Sequence, residues 1–260
     1  MGEPEWFRSL VAGADPDLEA TITAITTYGR PEIAAAEVSD ALDRLADSVD
    51  AADADALISA LFGAGRLRGD RTSYQHPDNN LLDRVLARGL GIPMSLTVVA
   101  VLVGRRHGLE LGVAPLPGHI LATTGTGVLY DVFAGGERLD VDGARVRLET
   151  MFGPALPWRD DAVEPADTMT ITRRWVANLT NASATTGDRS SLLRALRLES
   201  CLTPADPSRR MLVARLLEQT GAFDEAASEL EALATDGLID DPDDAVELVR
   251  RGAALRARLN

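Results

Sequence analysis

Gly91-Ile92-Pro93-Met94-Ser95-Leu96-Thr97-Val98-Val99-Ala100-Val101-Leu102-Val103-Gly104-Arg105-Arg106 holds the longest apolar run of the chain, Val98 to Val103. Pro93 suits a first helical position, where its missing N–H costs nothing and its fixed φ already fits. From Leu96 onward almost every side chain is apolar on all faces, and a helix apolar all round is buried. The helix therefore belongs at the centre of the molecule. Ser95 is the one strongly polar side chain of its first turn. Helix N-termini present unpaired N–H groups and a partial positive charge, a setting that favours an attacking nucleophile or a bound anion. Ser95 is also a residue that caps helices, and at this point both readings stand.

Composition narrows the classes. The 260 residues are enough for one large domain or two smaller ones, and the 45% hydrophobic content is that of a soluble globular chain. Forty acidic residues against 26 basic ones give a formal charge of −14. That charge repels phosphate backbones and anionic lipid, so neither nucleic acid nor membrane is expected as a partner. The lone Cys201 rules out an intramolecular disulfide and a multi-Cys zinc site. His76, His107 and His119 have no metal-ligand spacing, so no metal and no cofactor are expected. The acidic start from Met1 to Trp6 does not read as a signal segment, which points to the cytoplasm.

Outward from the central segment the pattern changes twice. Residues from Trp6 to about Phe62 read as packing helices, with Val38, Leu42, Leu45 and Val49 and then Leu57, Ile58, Leu61 and Phe62 at helical spacing. Glycines at 63, 65 and 69 and the run Tyr74-Gln75-His76-Pro77-Asp78-Asn79-Asn80 form a loop, in which Asp78 or Asn79 is a candidate cap for a short helix Leu81 to Ala87. After the central helix the period becomes two. Leu109 to Val113, His119 to Ala122 and Val128 to Phe133 read as strands, and Thr124-Gly125-Thr126-Gly127 reads as the turn of a hairpin between the last two. A three-residue loop centred on Thr126 places Leu121 opposite Asp131, with His119 and Asp131 diagonal neighbours on one face. A slip of one residue would separate them.

Gly135-Gly136 ends the hairpin, and a polar stretch with Arg145 and Arg147 follows. A connection rich in Pro and acidic residues, from about 153 to 168 with Pro154, Pro157 and Pro165, is read as a domain boundary. Beyond it the pattern is helical. Leu212, Leu216 and Leu217, then Gly221-Ala222-Phe223, then Leu230 and Leu233 form a helical hairpin similar to one tetratricopeptide unit. Cys201 falls in this tail as a small buried hydrophobe.

The series Tyr74…His76-Pro77-Asp78-Asn79, Leu82…Val85-Leu86…Arg88…Gly91-Ile92-Pro93-Met94-Ser95-Leu96, Gly104-Arg105-Arg106, Pro117-Gly118-His119 and Tyr130-Asp131-Val132-Phe133-Ala134-Gly135-Gly136 resembles the SirB-type family of bacterial transglutaminase-like proteins. The resemblance covers nearly the whole chain and is strongest from about 74 to 136. It implies an α+β fold: a papain/transglutaminase-like core at 66–152, an N-terminal helical segment at 1–65 packing on it, and a C-terminal tetratricopeptide-like tail at 168–260. It also implies that Ser95 stands where active relatives carry the catalytic Cys, with His119 and Asp131 at the positions of their His and Asp. Ser at the helix start is common within the SirB-type proteins. This chain departs from them at Gly89, where a second Arg is usual, and at Ile120, where an aromatic is usual.

Two functions follow. A serine hydroxyl is far less acidic than a thiol, and loss of the thiol marks a site that has lost its original reaction. The first reading is thus a non-catalytic intracellular protein acting in interaction or regulation, with a protein or peptide partner at the C-terminal helices. The alternative is a Ser–His–Asp hydrolase or acyltransferase acting on an amide or ester, in which Ser95 attacks, His119 is the base and Asp131 orients it. Its oxyanion donors would be the Ser95 amide and the side chain of Gln75 or Asn79.

Overall fold

The computed structural model describes residues 4–13, 16–153, 158, 160–204 and 206–258. Pro154 and Pro157 of the expected connection lie outside the described residues. The chain divides into two compact units, residues 15–175 and residues 1–14 with 176–260. This division differs from the expected one. It falls inside a helix rather than in the 153–168 connection, and the first helix goes with the C-terminal unit rather than with the N-terminal segment.

The unit of residues 15–175 is helical on its N-terminal side. Helices α2 (Leu18–Gly29), α3 (Ala35–Asp47) and α4 (Ala54–Ile58) follow one another, and α4 runs on into a π-helical turn, Ser59–Gly63. Asp17 and Asp53 accept from Ala20 N and Ala56 N at the starts of α2 and α4, satisfying first-turn donors. Two-residue strands β1 (Arg68–Gly69) and β2 (Leu90–Gly91) pair in parallel, enclosing α5 (Leu82–Arg88). Leu81 is the N-cap residue of α5 and provides no side-chain cap, so neither Asp78 nor Asn79 serves there. Instead His76 Nδ1 accepts from Asp78 N at 3.2 Å and caps a 3₁₀ turn, Pro77–Asn80.

Gly89 ends α5 in the left-handed region at φ +63°, and the carbonyl oxygen of Arg66 lies 2.5 Å from where a Cβ would sit. Glycine is required here on both counts. Gly89→Ala is expected to cost about 2 kcal/mol or more, since the left-handed backbone alone costs about 1–2 kcal/mol. A urea unfolding midpoint equal to that of the parent chain would contradict this.

Helix α6 (Pro93–Arg106) is buried on every side from Pro93 to Gly104, as its all-round apolar pattern demands. Its C-terminal end is anchored by Arg106, which pairs with Glu19 at 2.8 Å and Asp43 at 2.6 Å. A four-stranded antiparallel sheet packs on α6 in the order β3 (Gly112–Ala114), β4 (Leu121–Thr123), β5 (Leu129–Asp131) and β6 (Glu137–Leu139). Ala122 faces Tyr130 and Thr123 faces Leu129, a register centred on Thr126. The sequence pattern did not resolve β6 or the helix after it, α7 (Val141–Phe152). The cues for α7 are Asp140, which accepts from Gly143 N, and buried Ala144 and Leu148 four residues apart. Together these elements make an α+β architecture, with helices and sheet segregated along the chain.

Helix α8 (Thr168–Thr186) runs across the division. In the second unit, α1 (Glu5–Val11) packs on α9 (Arg189–Leu202). Then come α10 (Pro207–Gln219), α11 (Phe223–Thr235) and α12 (Pro242–Ala257), each packed on the next. The expected hairpin about Gly221 is α10–α11. Its apolar face, with Leu216, Leu217, Leu230 and Leu233, joins Leu248 and Leu255 of α12 in one cluster. Cys201 is buried in α9. Among the described residues no helix is long and apolar enough to cross a membrane.

Candidate functional site

The hairpin register brings His119 and Asp131 together. His119 Nε2 lies 2.9 Å from Asp131 Oδ2, and the two residues are only 6% and 2% exposed. A carboxylate only accepts, so the ring proton sits on Nε2 and Nδ1 is the basic nitrogen. His119 comes two residues before the start of β4, in a turn closed by His119 N donating to Leu116 O at 3.1 Å. Gly118 in that turn has φ +72°, and the ring of Phe152 in α7 lies against it, 2.5 Å from where a Cβ would be.

Asp131 caps the 3₁₀ turn Val132–Ala134 through Oδ1, which accepts from Ala134 N at 3.0 Å. Its Oδ2 also accepts from Arg147 Nη1 at 2.5 Å, so a cation from α7 completes the cluster. Arg147 was legible in the sequence only as part of a polar stretch. Its role depends on α7 folding back against the strand that carries Asp131. Burial alone would raise the Asp131 pKa. The hydrogen bond and charge of His119, the Ala134 amide and the Arg147 charge outweigh burial and hold the carboxyl below the ordinary range. A carboxyl with a depressed folded pKa stabilises the native state above its unfolded value of about 3.9, and this stabilisation is lost as pH falls through the folded value. The stability gap between the parent chain and Asp131→Asn should therefore be full near neutrality and shrink as pH falls below about 4. A gap constant from pH 7 down to acid unfolding would contradict this assignment.

Ser95 is fully buried in the first turn of α6. Its Oγ accepts from Ile92 N at 3.1 Å and donates to Ile92 O at 3.2 Å. Both bonds close the turn of its own helix, as a capping residue does. Among the described residues no hydrogen bond joins Ser95 to His119. The hydroxyl must leave Ile92 O before it can hand its proton to His119 Nδ1.

The two tentative oxyanion donors fare differently. Asn79 is fully buried, and its amide nitrogen donates to Ser73 O at 2.8 Å and Tyr74 O at 3.3 Å. Its Oδ1 accepts from Arg88 Nη1 at 3.1 Å, so both ends of the amide hold the 70–80 loop together. Arg88 Nη2 also pairs with buried Asp70 at 2.8 Å, and Asp70 Oδ1 accepts from Ser73 N. Gln75 is exposed on the same loop. Neither side chain is brought to Ser95 by a hydrogen bond among the described residues. Asp70 and Arg88 as braces of this loop were not anticipated, since a contact 18 residues apart leaves no mark on local periodicity.

The match of residues 32–177 to the transglutaminase-like superfamily spans this entire arrangement. The chain belongs to that superfamily. Among relatives of this transglutaminase-like chain, a UPF0162 protein of Xylella fastidiosa strain 9a5c is 32% identical over 175 residues, 63% of this chain and 62% of the relative. A UPF0162 protein of Vibrio cholerae serotype O1 is 28% identical over 142 residues, 54% of this chain and 53% of the relative. The chain thus spans under two thirds of the length of the relatives it matches. No solved structure gives a significant match.

Proposed function

We propose that this chain is a non-catalytic transglutaminase-like protein of the SirB type, which acts in the cytoplasm by holding a protein or peptide partner. The observation that carries this reading is the state of the Ser95 hydroxyl. Its single proton goes to Ile92 O and a lone pair receives Ile92 N, in a site closed to solvent. A nucleophile needs its proton directed at a base and its lone pairs directed at substrate. Arg147 supports the same reading, because it ties Asp131 into an ion-pair cluster of the kind that holds a core together. The proposal keeps the papain-like description of the core and the tetratricopeptide-like description of the tail, and it places a partner on the C-terminal helices.

Labelling of the full chain with a fluorophosphonate probe tests it. No labelling is expected. Ser95→Ala should cost about 1 kcal/mol, the loss of a cap, and leave the fold intact. Labelling of the parent chain that disappears in both Ser95→Ala and His119→Ala would overturn the reading. It would establish the alternative, a Ser-dependent hydrolase or acyltransferase acting on an amide or ester. That alternative draws support from the buried His119–Asp131 pair, which leaves Nδ1 as the ring's basic nitrogen.

A further inference from the structure

Helices α10, α11 and α12 pack in succession, and α12 commits one side to α11. That side carries Leu248 and Leu255, buried in the tail cluster, and Gly252, where a Cβ would lie 3.2 Å from Ala227 O. A second apolar row runs along another side of the helix. Val246, Val249, Ala253 and Ala257 recur at i, i+3, i+7 and i+11, which places them on one strip of α12. All four are exposed, Val246 to 67% and Val249 to 45%. Single exposed apolar side chains are ordinary, but in a stack of helices the outermost member presents a polar face to water when nothing packs on it. The strip on α12 has the make-up of a helix-packing surface instead.

The charges on the same helix select the occupant. Residues 240–247 hold Asp240, Asp241, Asp243, Asp244 and Glu247 and no cation, whereas residues 250–258 hold Arg250, Arg251, Arg256 and Arg258 and no carboxylate. Arg250, with 76% of its side chain exposed, pairs with Glu247 of its own helix. Arg251, Arg256 and Arg258 bridge to Glu218, Asp224 and Glu231 of α10 and α11. A guanidinium has five donors, so these three can each face a further carboxylate. The polarity suits the dipole of α12 itself, and it also makes the helix complementary to its own reverse. In an antiparallel pair each acidic half lies along the basic half of the other helix, and in a parallel pair like charges meet. A two-fold axis produces the antiparallel arrangement, because one surface then meets its own copy. Alanines opposite valines let the two helices approach closely.

We propose that two copies of this chain associate through α12, antiparallel across a two-fold axis, with Val246, Val249, Ala253 and Ala257 of each copy as the seam. The strip is centred near residue 251, so Val249 packs against Ala253 of the second copy and Val246 against its Ala257. Helix α12 is about 24 Å long. A seam of one such helix pair is smaller than a standard interface, so the dimer is weak and depends on concentration. The inference goes beyond the reading above, and a monomeric chain would leave the inertness of Ser95 untouched.

Sedimentation equilibrium of the full chain from about 5 to 500 μM tests the pairing. The weight-average mass is expected to rise from one copy toward two. Val246→Asp and Val249→Asp should each weaken association by about tenfold or more, because a carboxylate is forced into an apolar seam. Both positions are exposed, so the far-UV circular dichroism of the variants should match the parent chain. If Val249→Asp loses it, the more exposed Val246→Asp decides. Cross-linking with a short bismaleimide in a Cys201→Ala background reads the orientation. A mixture of Val246→Cys and Ala257→Cys chains should cross-link one to the other, and Val246→Cys alone should not. A chain that stays monomeric throughout, a dimer indifferent to folded Val246→Asp and Val249→Asp, or ready cross-linking of Val246→Cys to itself would overturn the proposal.

Discussion

Asp131→Ala is expected to destabilise the chain by about 3–5 kcal/mol, the cost of removing one partner from a buried ion pair. The carboxylate serves three donors: His119 Nε2, Arg147 Nη1 and Ala134 N. Alanine leaves His119 buried without the carboxylate that Nε2 meets, and Arg147 retains its contact with Glu137. It also uncaps the turn that carries Phe133. Asp131→Asn should cost less, since the amide oxygen still accepts from the Ala134 amide or from Arg147. Arg147→Ala should cost less again, because that guanidinium is partly exposed and its loss leaves the His119–Asp131 bond in place. Urea midpoints that rise in the order Asp131→Ala, Asp131→Asn, Arg147→Ala check the account. A loss under about 1 kcal/mol for Asp131→Ala would mean that the cluster is a surface pair, not a buried one.

The second large effect is expected at Trp175. This side chain is fully buried in α8, and its Nε1 donates to Asn80 O at 2.9 Å. Trp175→Ala removes the largest buried side chain of the unit of residues 15–175 and should cost about 3–5 kcal/mol through lost burial and the cavity left behind. It also strips a partner from a carbonyl at the end of the 3₁₀ turn Pro77–Asn80. Trp175→Phe separates the two contributions. It keeps most of the packing and loses the hydrogen bond, so a cost of about 1–3 kcal/mol is expected for the carbonyl left unsatisfied. If Trp175→Phe costs as much as Trp175→Ala, the hydrogen bond and not the packing dominates. If Trp175→Ala costs under about 2 kcal/mol, the site collapses on itself and the cavity argument fails.

Local pattern decided several features of this chain unaided. The run Leu96–Val103 could only be a buried helix, because no face of it suits water. Thr124-Gly125-Thr126-Gly127 between two apolar segments set a hairpin whose loop length specifies register, and that register is the one observed. The turn at Gly221 likewise marked the α10–α11 hairpin. In each case the signal is a period or a turn residue spanning a few positions, and the free energy it reflects is local. Tertiary structure alone decided what the polar groups do. Ser95 at a helix start can be read as nucleophile or as cap, and only the direction of its hydroxyl toward Ile92 separates the two. Arg147 reaches Asp131 across 16 residues, Arg88 reaches Asp70 across 18, and Trp175 reaches Asn80 across 95. Such partnerships depend on which loops and helices meet in space. A side chain's chemistry is written in its residue type, but its use is set by the groups that burial brings within about 3 Å of it.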